Sequence, residues 1–329
     1  MTSAYDLTTD TGLQTYLMGK TGFPKSVRCL EGGTANYVYL VEFADSSPGV
    51  FKHAAPYLHG NNAFKFDPAR MDFEAAILRA VPSIESSELA AHAIKFLDYD
   101  PDYKLLKMEW GGLQNLKLAY ENPQIDMREI AYGLAKWLAT LHLGSRDLRI
   151  EVPSQNVTIG AGGNNGIAVN IYRHSYNNLH AALSAYGYDS QLADHINEEF
   201  GSLLATDNEC LCHGDFWPGN VLWQPSGQYS PDITGMHKSM HKLTIVDWEM
   251  LANLQPKHFY SIASKALKTC ACTSSTRISR PVGQLRMERR LENNGLGAWL
   301  STGRFMWHSG LLECHGLIEK VLKSLLISA

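Results

Sequence analysis

Short apolar runs alternating with polar residues occupy the first third of the chain, a period that predicts strands rather than helices. Val27 to Leu30 and Tyr37 to Phe43 are two such runs, and Glu31-Gly32-Gly33-Thr34-Ala35-Asn36 between them predicts a hairpin turn. Val50-Phe51-Lys52 predicts a third strand. The period then changes. Asp67-Pro68 supplies an N-cap followed by proline at the first helical position, and Met71, Phe73, Glu74, Ile77, Leu78 and Val81 continue as a helix. Apolar runs at Ala93 to Leu97 and Lys104 to Trp110 return to strand character, with Asp98 to Asp102 reading as a turn between them.

Beyond Gly111-Gly112 helical spacing dominates. Asp126 with Glu129 forms a capping-box-like start for Met127, Ile130, Ala131, Leu134, Trp137, Leu138 and Leu141. Thr158 to Gly166 has the composition of a loop, and helices follow around Leu179 to Tyr186 and Leu192 to Leu204. Val221-Leu222-Trp223 and Leu243 to Val246 predict two strands joined by a long polar turn. Thr269 to Asn294 has little periodicity, whereas Leu311, His315, Ile318, Leu322 and Leu325 share one face of a final helix. The pattern as a whole predicts an α+β chain divided near Gly111-Gly112, with a small strand-rich unit at 1–111 and a larger, mainly helical one at 112–329.

Composition narrows the function classes. With 45% hydrophobic residues the 329-residue chain can fill the cores of two modest units. A formal net charge of −4 gives no footprint for nucleic acid. No apolar run reaches membrane-spanning length, and Met1 to Leu17 lacks the basic and apolar stretches of a signal peptide; the expectation is a soluble, cytoplasmic protein with no membrane partner. The close pairs Cys210/Cys212 and Cys270/Cys272 lack C-x-x-C spacing and read as free thiols.

The chemistry concentrates in His213-Gly214-Asp215-Phe216-Trp217-Pro218-Gly219-Asn220 and, after the polar turn, in Ile245-Val246-Asp247-Trp248-Glu249. Phosphoryl transfer from ATP asks for a carboxylate to orient or deprotonate the acceptor hydroxyl and for oxygen ligands to hold magnesium, groups that Asp215, Asn220 and Asp247 supply. Two acids and an amide at the ends of neighbouring strands would converge on one cleft. Turn chemistry explains the residue types of the first segment but not the paired acid downstream.

This pattern resembles the His-Gly-Asp-x-x-x-x-Asn motif of the aminoglycoside-phosphotransferase/choline-kinase family, including its methylthioribose-kinase-like branch, over about Leu30 to Glu249. The resemblance implies a two-lobed, protein-kinase-like fold and an ATP- and Mg2+-dependent kinase of a small hydroxylated substrate. It implies Asp215 as catalytic base or orienting acid, Asn220 and Asp247 as magnesium ligands, and His213 as a brace. Gly32 and Gly33 would admit ATP phosphates or merely turn a hairpin; Lys52 and Glu74 resemble the strand lysine and its helix partner, or are solvated charges. Met108-Glu109-Trp110 resembles the adenine-binding hinge, or is an ordinary strand end; His142 reads as structural. Protein kinases have Arg in place of Gly214 and Phe-Gly in place of Trp248-Glu249, which favours a small-molecule acceptor. The family's further acid about a dozen residues after the metal-binding Asp is missing, since Leu254 to Ser264 holds no Asp or Glu; that leaves a catalytically degenerate pseudokinase as the alternative. A P-loop at Gly19-Lys20-Thr21 fails because Gln14 stands where glycine is required. Met236-His237 to His241-Lys242 reads as a polar loop and not a metal site.

Overall fold

The computed structural model describes residues 5–225 and 241–254, apart from 21, 45, 113, 120 and 186–190. Helix α1 (Asp10–Lys20) precedes the antiparallel strands β1 (Ser26–Cys29), β2 (Tyr37–Phe43) and β3 (Ser46–His53). A short hairpin, β4 (Tyr57–Leu58) and β5 (Asn61–Lys65), leads to α2 (Arg70–Ala80), followed by β6 (Ala91–Ala93), β7 (Phe96–Asp100) and β8 (Leu105–Glu109). The five-stranded sheet runs β1-β2-β3-β8-β7. Period-two alternation gives this sheet two apolar faces. Tyr39, Val41, Phe51 and Leu105 pack with Leu13, Tyr16 and Leu17 of α1, whereas Val50, Leu106 and Met108 pack with Met71, Ile77 and Leu78 of α2. Lys52 shares the α2 side with Val50, which is what brings it to Glu74. Lys20 ends α1, so Gly19-Lys20-Thr21 is not the start of a phosphate-cradling helix.

After the glycine pair come β9 (Gln114–Asn115), α3 (Leu116–Ala119) and α4 (Met127–Gly144). As the capping pattern predicts, the Asp126 carboxylate accepts from the N–H groups of Arg128 and Glu129 at 2.8 and 3.2 Å. A hairpin, β10 (Ile150–Val152) and β11 (Val157–Ile159), precedes α5 (Gly166–Asn177), α6 (Leu179–Ala185) and α7 (Gln191–Glu199). Strand β12 (Cys210–Cys212) pairs with β15 (Ala252–Leu254), while β13 (Val221–Pro225) and β14 (His241–Ile245) lie in a second sheet of order β6-β14-β13-β9. One apolar cluster runs from α2 and β8 through Trp137 and Leu141 of α4 to Leu243, Ile245 and Trp248. The fold is α+β, with the segments that carry Asp215 and Asp247 following the ends of β12 and β14. Among the described residues no helix is long and apolar enough to cross a membrane.

Four expectations need correction. Asp98 to Asp100 belongs to β7, not to a turn: β7 edges the sheet, Asp98 is exposed, Asp100 accepts from the Tyr16 hydroxyl at 2.6 Å, and Tyr99 donates its hydroxyl to buried Asp72. The turn sits at 101–104, where Asp100 accepts from the N–H groups of Asp102 and Tyr103. Asp67 caps a preceding turn by accepting from Ala69 N–H at 2.9 Å, and the α-helix proper starts at Arg70. Thr158 to Gly166 opens as strand β11, and α5 beyond it had no signal because its N-cap, Asn165, is hidden in the glycine-rich run. His241 is a buried strand residue, its Nδ1 3.1 Å from Trp223 Nε1 and its Nε2 3.2 Å from the Asp126 nitrogen, of which a neutral ring accepts from one. The final helix around Leu311 to Leu325, Thr269 to Asn294, Cys270/Cys272 and residues 255–264 lie outside the described residues.

Candidate active site

Lys52 lies between two carboxylates. Its Nζ is 2.7 Å from Glu74 Oε2 and 2.5 Å from Asp247 Oδ1, with the Lys52 and Glu74 side chains almost fully buried and Asp247 partly exposed. Burial alone would lower the Lys52 pKa, but Asp247, Glu74 and Glu249 more than reverse this and raise it, so the ammonium is retained. For Asp247 burial pushes upward and the neighbouring ammonium prevails, holding its carboxyl below the ordinary range. The backbone at Asp247 is left-handed, with φ +68, a conformation that aspartate tolerates better than most residues. The solvated alternative for Lys52 and Glu74 is thereby excluded.

Beside this trio is a second buried pair that the sequence did not disclose. Arg70 Nε lies 3.2 Å from Glu249 Oε2 and 3.1 Å from Asn36 Oδ1, and Asn36 Nδ2 donates to the same Glu249 oxygen at 2.9 Å. The guanidinium also donates to the carbonyls of Ala55, Phe66, Asp67 and Ala35 at 2.9–3.2 Å. Glu74 reaches the same segment by accepting from Trp248 N–H at 3.2 Å. The glycine-bearing turn, α2 and the Asp247 segment are thus one network. Nothing local in the sequence marks Arg70; the available signal was that a buried acid, Glu249, would need a cation. Oxygens of Glu74, Asp247 and Glu249 lie within 4.8 Å of one another. Three carboxylates face two cations here, so this oxygen-only donor set carries an excess negative charge and suits a hard divalent cation.

The second half of the site is the loop after β12. Asn220 donates Nδ2 to both the backbone carbonyl and the Oδ2 of Asp215, each at 2.9 Å, fixing the carboxylate and leaving the Asn220 side-chain oxygen as the atom it can offer to a cation. His213 is buried and sits 3.1 Å from the Val246 carbonyl through Nε2, while its Nδ1 faces the Asp215 N–H at 3.4 Å. A carbonyl only accepts, so Nε2 carries the proton and the ring is neutral. Burial agrees, lowering the His213 pKa to about 4. Val246 N–H in turn donates to the Asn220 carbonyl at 3.0 Å, so the two acid-bearing segments brace each other.

Burial, reinforced by the charge of Asp247, raises the Asp215 carboxyl to about 6. Protonation removes its capacity to accept a proton, so kcat/KM is expected to fall as pH drops through about 6. An Asp215-dependent limb is checked by the pH profile of the wild-type rate; a profile flat down to pH near 4.5 is the outcome that contradicts it.

Gly214 explains the departure from the protein-kinase sequence. Its φ is +84, and a Cβ there would stand 1.8 Å from the Tyr172 hydroxyl and 2.1 Å from the Met250 carbonyl, groups that are themselves hydrogen bonded at 2.5 Å. Gly214→Ala is expected to lower stability by about 2–3 kcal/mol, measured by urea unfolding.

The remaining predicted positions lie in the turn between β1 and β2 and at the end of β8. Gly32, at φ +99, has no atom within 4 Å of where a Cβ would be, and Gly33 lies in the same turn between β1 and β2. Asn36 is what ties this turn to Glu249. Met108 and Glu109 end β8, Trp110 follows it, and the Glu109 N–H donates to the Lys95 carbonyl at 3.0 Å, so an adenine contact cannot use that donor.

One α+β fold thus holds a strand lysine paired with a helix glutamate beside two carboxylates on bracing loops. The family model described as the phosphotransferase enzyme family matches residues 26–231, and the chain belongs to that family. No curated protein matches the chain. Solved structures similar to it include an aminoglycoside phosphotransferase APH(4)-Ia in a ternary complex with AMP-PNP and hygromycin B, at 13% identity and TM-score 0.44, covering 77% of this chain and 75% of that one. Another is the GDP and kanamycin complex of APH(2")-IIIa, at 16% identity and TM-score 0.47, covering 75% of each chain. A third is the macrolide 2'-phosphotransferase MphH from Brachybacterium faecium, at 14% identity and TM-score 0.42, covering 90% of this chain and 93% of that one.

Proposed function

We propose that the protein transfers the γ-phosphoryl group of ATP to a hydroxyl of a small molecule, with the chain working as two lobes that meet near Gly111-Gly112 in the cytoplasm. The observation that carries this reading is the placement of Asp215, clamped by Asn220, beside the Lys52–Asp247–Glu74 cluster. Asp215 accepts the acceptor's proton as that oxygen bonds to the γ-phosphorus and the bond to the β-phosphate oxygen breaks, releasing ADP. Lys52 neutralises phosphate charge, and Gly32 and Gly33 let backbone N–H groups approach the phosphates. Asp247 and Asn220 would hold magnesium, which supplies charge neutralisation on the transferring phosphates. Met108, Glu109 and Trp110 line the adenine end through the backbone groups still open to it. Glu74 keeps Lys52 in place.

Calorimetric titration with Mg-ATP tests this without knowledge of the acceptor. Wild type is expected to bind, and Asp247→Ala to lose the magnesium-dependent part of the affinity. Binding followed by acceptor-dependent ADP release in a screen of hydroxylated compounds supports the kinase. A folded wild type that binds no nucleotide at millimolar concentration defeats it and favours a degenerate scaffold.

A further inference from the structure

Strand β12 does more than lead into the Asp215 loop. Cys210 and Cys212 are two apart, so an extended strand points both thiols to one side, into a small cluster with Met250, Ala252 and Leu254; Leu211 points the other way, into the main core. Facing the thiols is His142, in the last turn of α4. The two Sγ atoms and a ring nitrogen of His142 all lie within 4.8 Å of one another. Their backbones are already fixed relative to each other. Leu211 N–H donates to the Ser145 hydroxyl at 2.9 Å, pinning β12 to the end of α4, and β12 pairs with β15 through Cys210↔Leu254 and Cys212↔Ala252.

We propose that His142, Cys210 and Cys212 bind one thiophilic divalent metal ion, zinc in particular, stapling the strand that carries the Asp215 loop to α4. Two sulfurs and an imidazole nitrogen are the donors that zinc selects over magnesium or calcium. With Zn–S near about 2.3 Å and Zn–N about 2.0–2.1 Å, tetrahedral ligands stand roughly 3.5 Å apart, a small contraction that side-chain rotation supplies. Three protein ligands leave a fourth position for water, reached from the His142 side, because both cysteines are fully buried whereas His142 is partly exposed. Binding forms two Zn–S bonds and one Zn–N bond and releases the two thiol protons to solvent. A disulfide is the poorer alternative. Residues two apart in a strand are separated by about 6.6 Å, at the far end of the Cα spacing that a disulfide spans and well past its commonest value. The site stands whether or not the chain turns over ATP, because it shares no ligand with the acid cluster around Asp247.

The test uses the full chain, stripped of metal with a chelator, and titrated with cobalt(II). One equivalent is expected to produce thiolate-to-cobalt charge-transfer absorption with intense tetrahedral d–d bands. Zinc should abolish both and raise Tm. Oxygen ligands around Asp247 produce no thiolate band, so the readout separates the two sites. His142→Ala, at the partly exposed position, should weaken the signal and Cys210→Ala/Cys212→Ala should remove it, while Cys270→Ser/Cys272→Ser should retain it. Absence of a thiolate band in wild type overturns the proposal without any variant. So does a band that survives in Cys210→Ala/Cys212→Ala, or one lost in Cys270→Ser/Cys272→Ser. If the double alanine variant fails to fold, an unchanged cobalt spectrum and affinity in His142→Ala overturns it instead.

Discussion

Asp215→Asn is expected to lower kcat by about 10²–10⁴-fold while leaving Mg-ATP affinity close to wild type. The amide keeps the shape of the carboxylate and can still accept from Asn220 Nδ2, now 2.9 Å from Asp215 Oδ2, so the loop should retain its conformation. What disappears is a group able to take a proton. Nucleotide affinity should survive because Lys52, Glu74 and Asp247 form a separate ion-paired cluster. ADP release under saturating acceptor gives kcat, calorimetry gives Kd, and the split between them is the informative result. Turnover within about twofold of wild type would remove Asp215 from the chemistry.

Arg70→Met should cost about 3–5 kcal/mol of stability, because it strands a buried acid rather than merely removing a contact. Arg70 is wholly buried and holds Glu249, Asn36 and four backbone carbonyls at once. Burial raises the Glu249 carboxyl despite the cations beside it, and without Arg70 the cation left in the cluster among the described residues is Lys52, already shared between Glu74 and Asp247. The mechanism makes a second prediction about the pair. Arg70→Met combined with Glu249→Leu should be more stable than the sum of the single losses implies, since the stranded charge goes with its partner. Urea unfolding of the four proteins measures the coupling; a single-variant loss below about 1 kcal/mol would mean that the pair behaves as an exposed one.

What could be read from the residues follows from how local each signal is. The β1–β2 hairpin, the Asp126 cap and the β13–β14 pair are written in short windows whose period and punctuation the structure repeats. Lys52 and Glu74 were legible as types on a strand and a helix, although only the α2 side of the sheet decides that they meet. The Arg70–Asn36–Glu249 network was not legible, because its members lie in three separated segments and each is an ordinary polar residue where it stands. The same holds for His142 with Cys210 and Cys212: a thiol pair without C-x-x-C spacing reads as inert until the strand turns both sulfurs toward a helix end. Misplacing the turn at Asp98 to Asp102 has a different cause. Acidic residues on a sheet's edge strand are as well solvated as in a turn, so composition does not separate the two.

The hydrogen bond from Asn36 to Glu249 spans 213 positions, and that separation governs when the site can come into being. Strands β1 to β3 close over short loops and can form while the rest of the chain is still being synthesised. Lys52 and Arg70 then have no counter-charge from the Asp247 segment, and Glu74 has yet to receive the Trp248 N–H. The nascent amino-terminal unit therefore holds Lys52 with only Glu74 of its two carboxylates, and Arg70 with Asn36 and backbone carbonyls but without its acid, until the segment ending at Glu249 has been made.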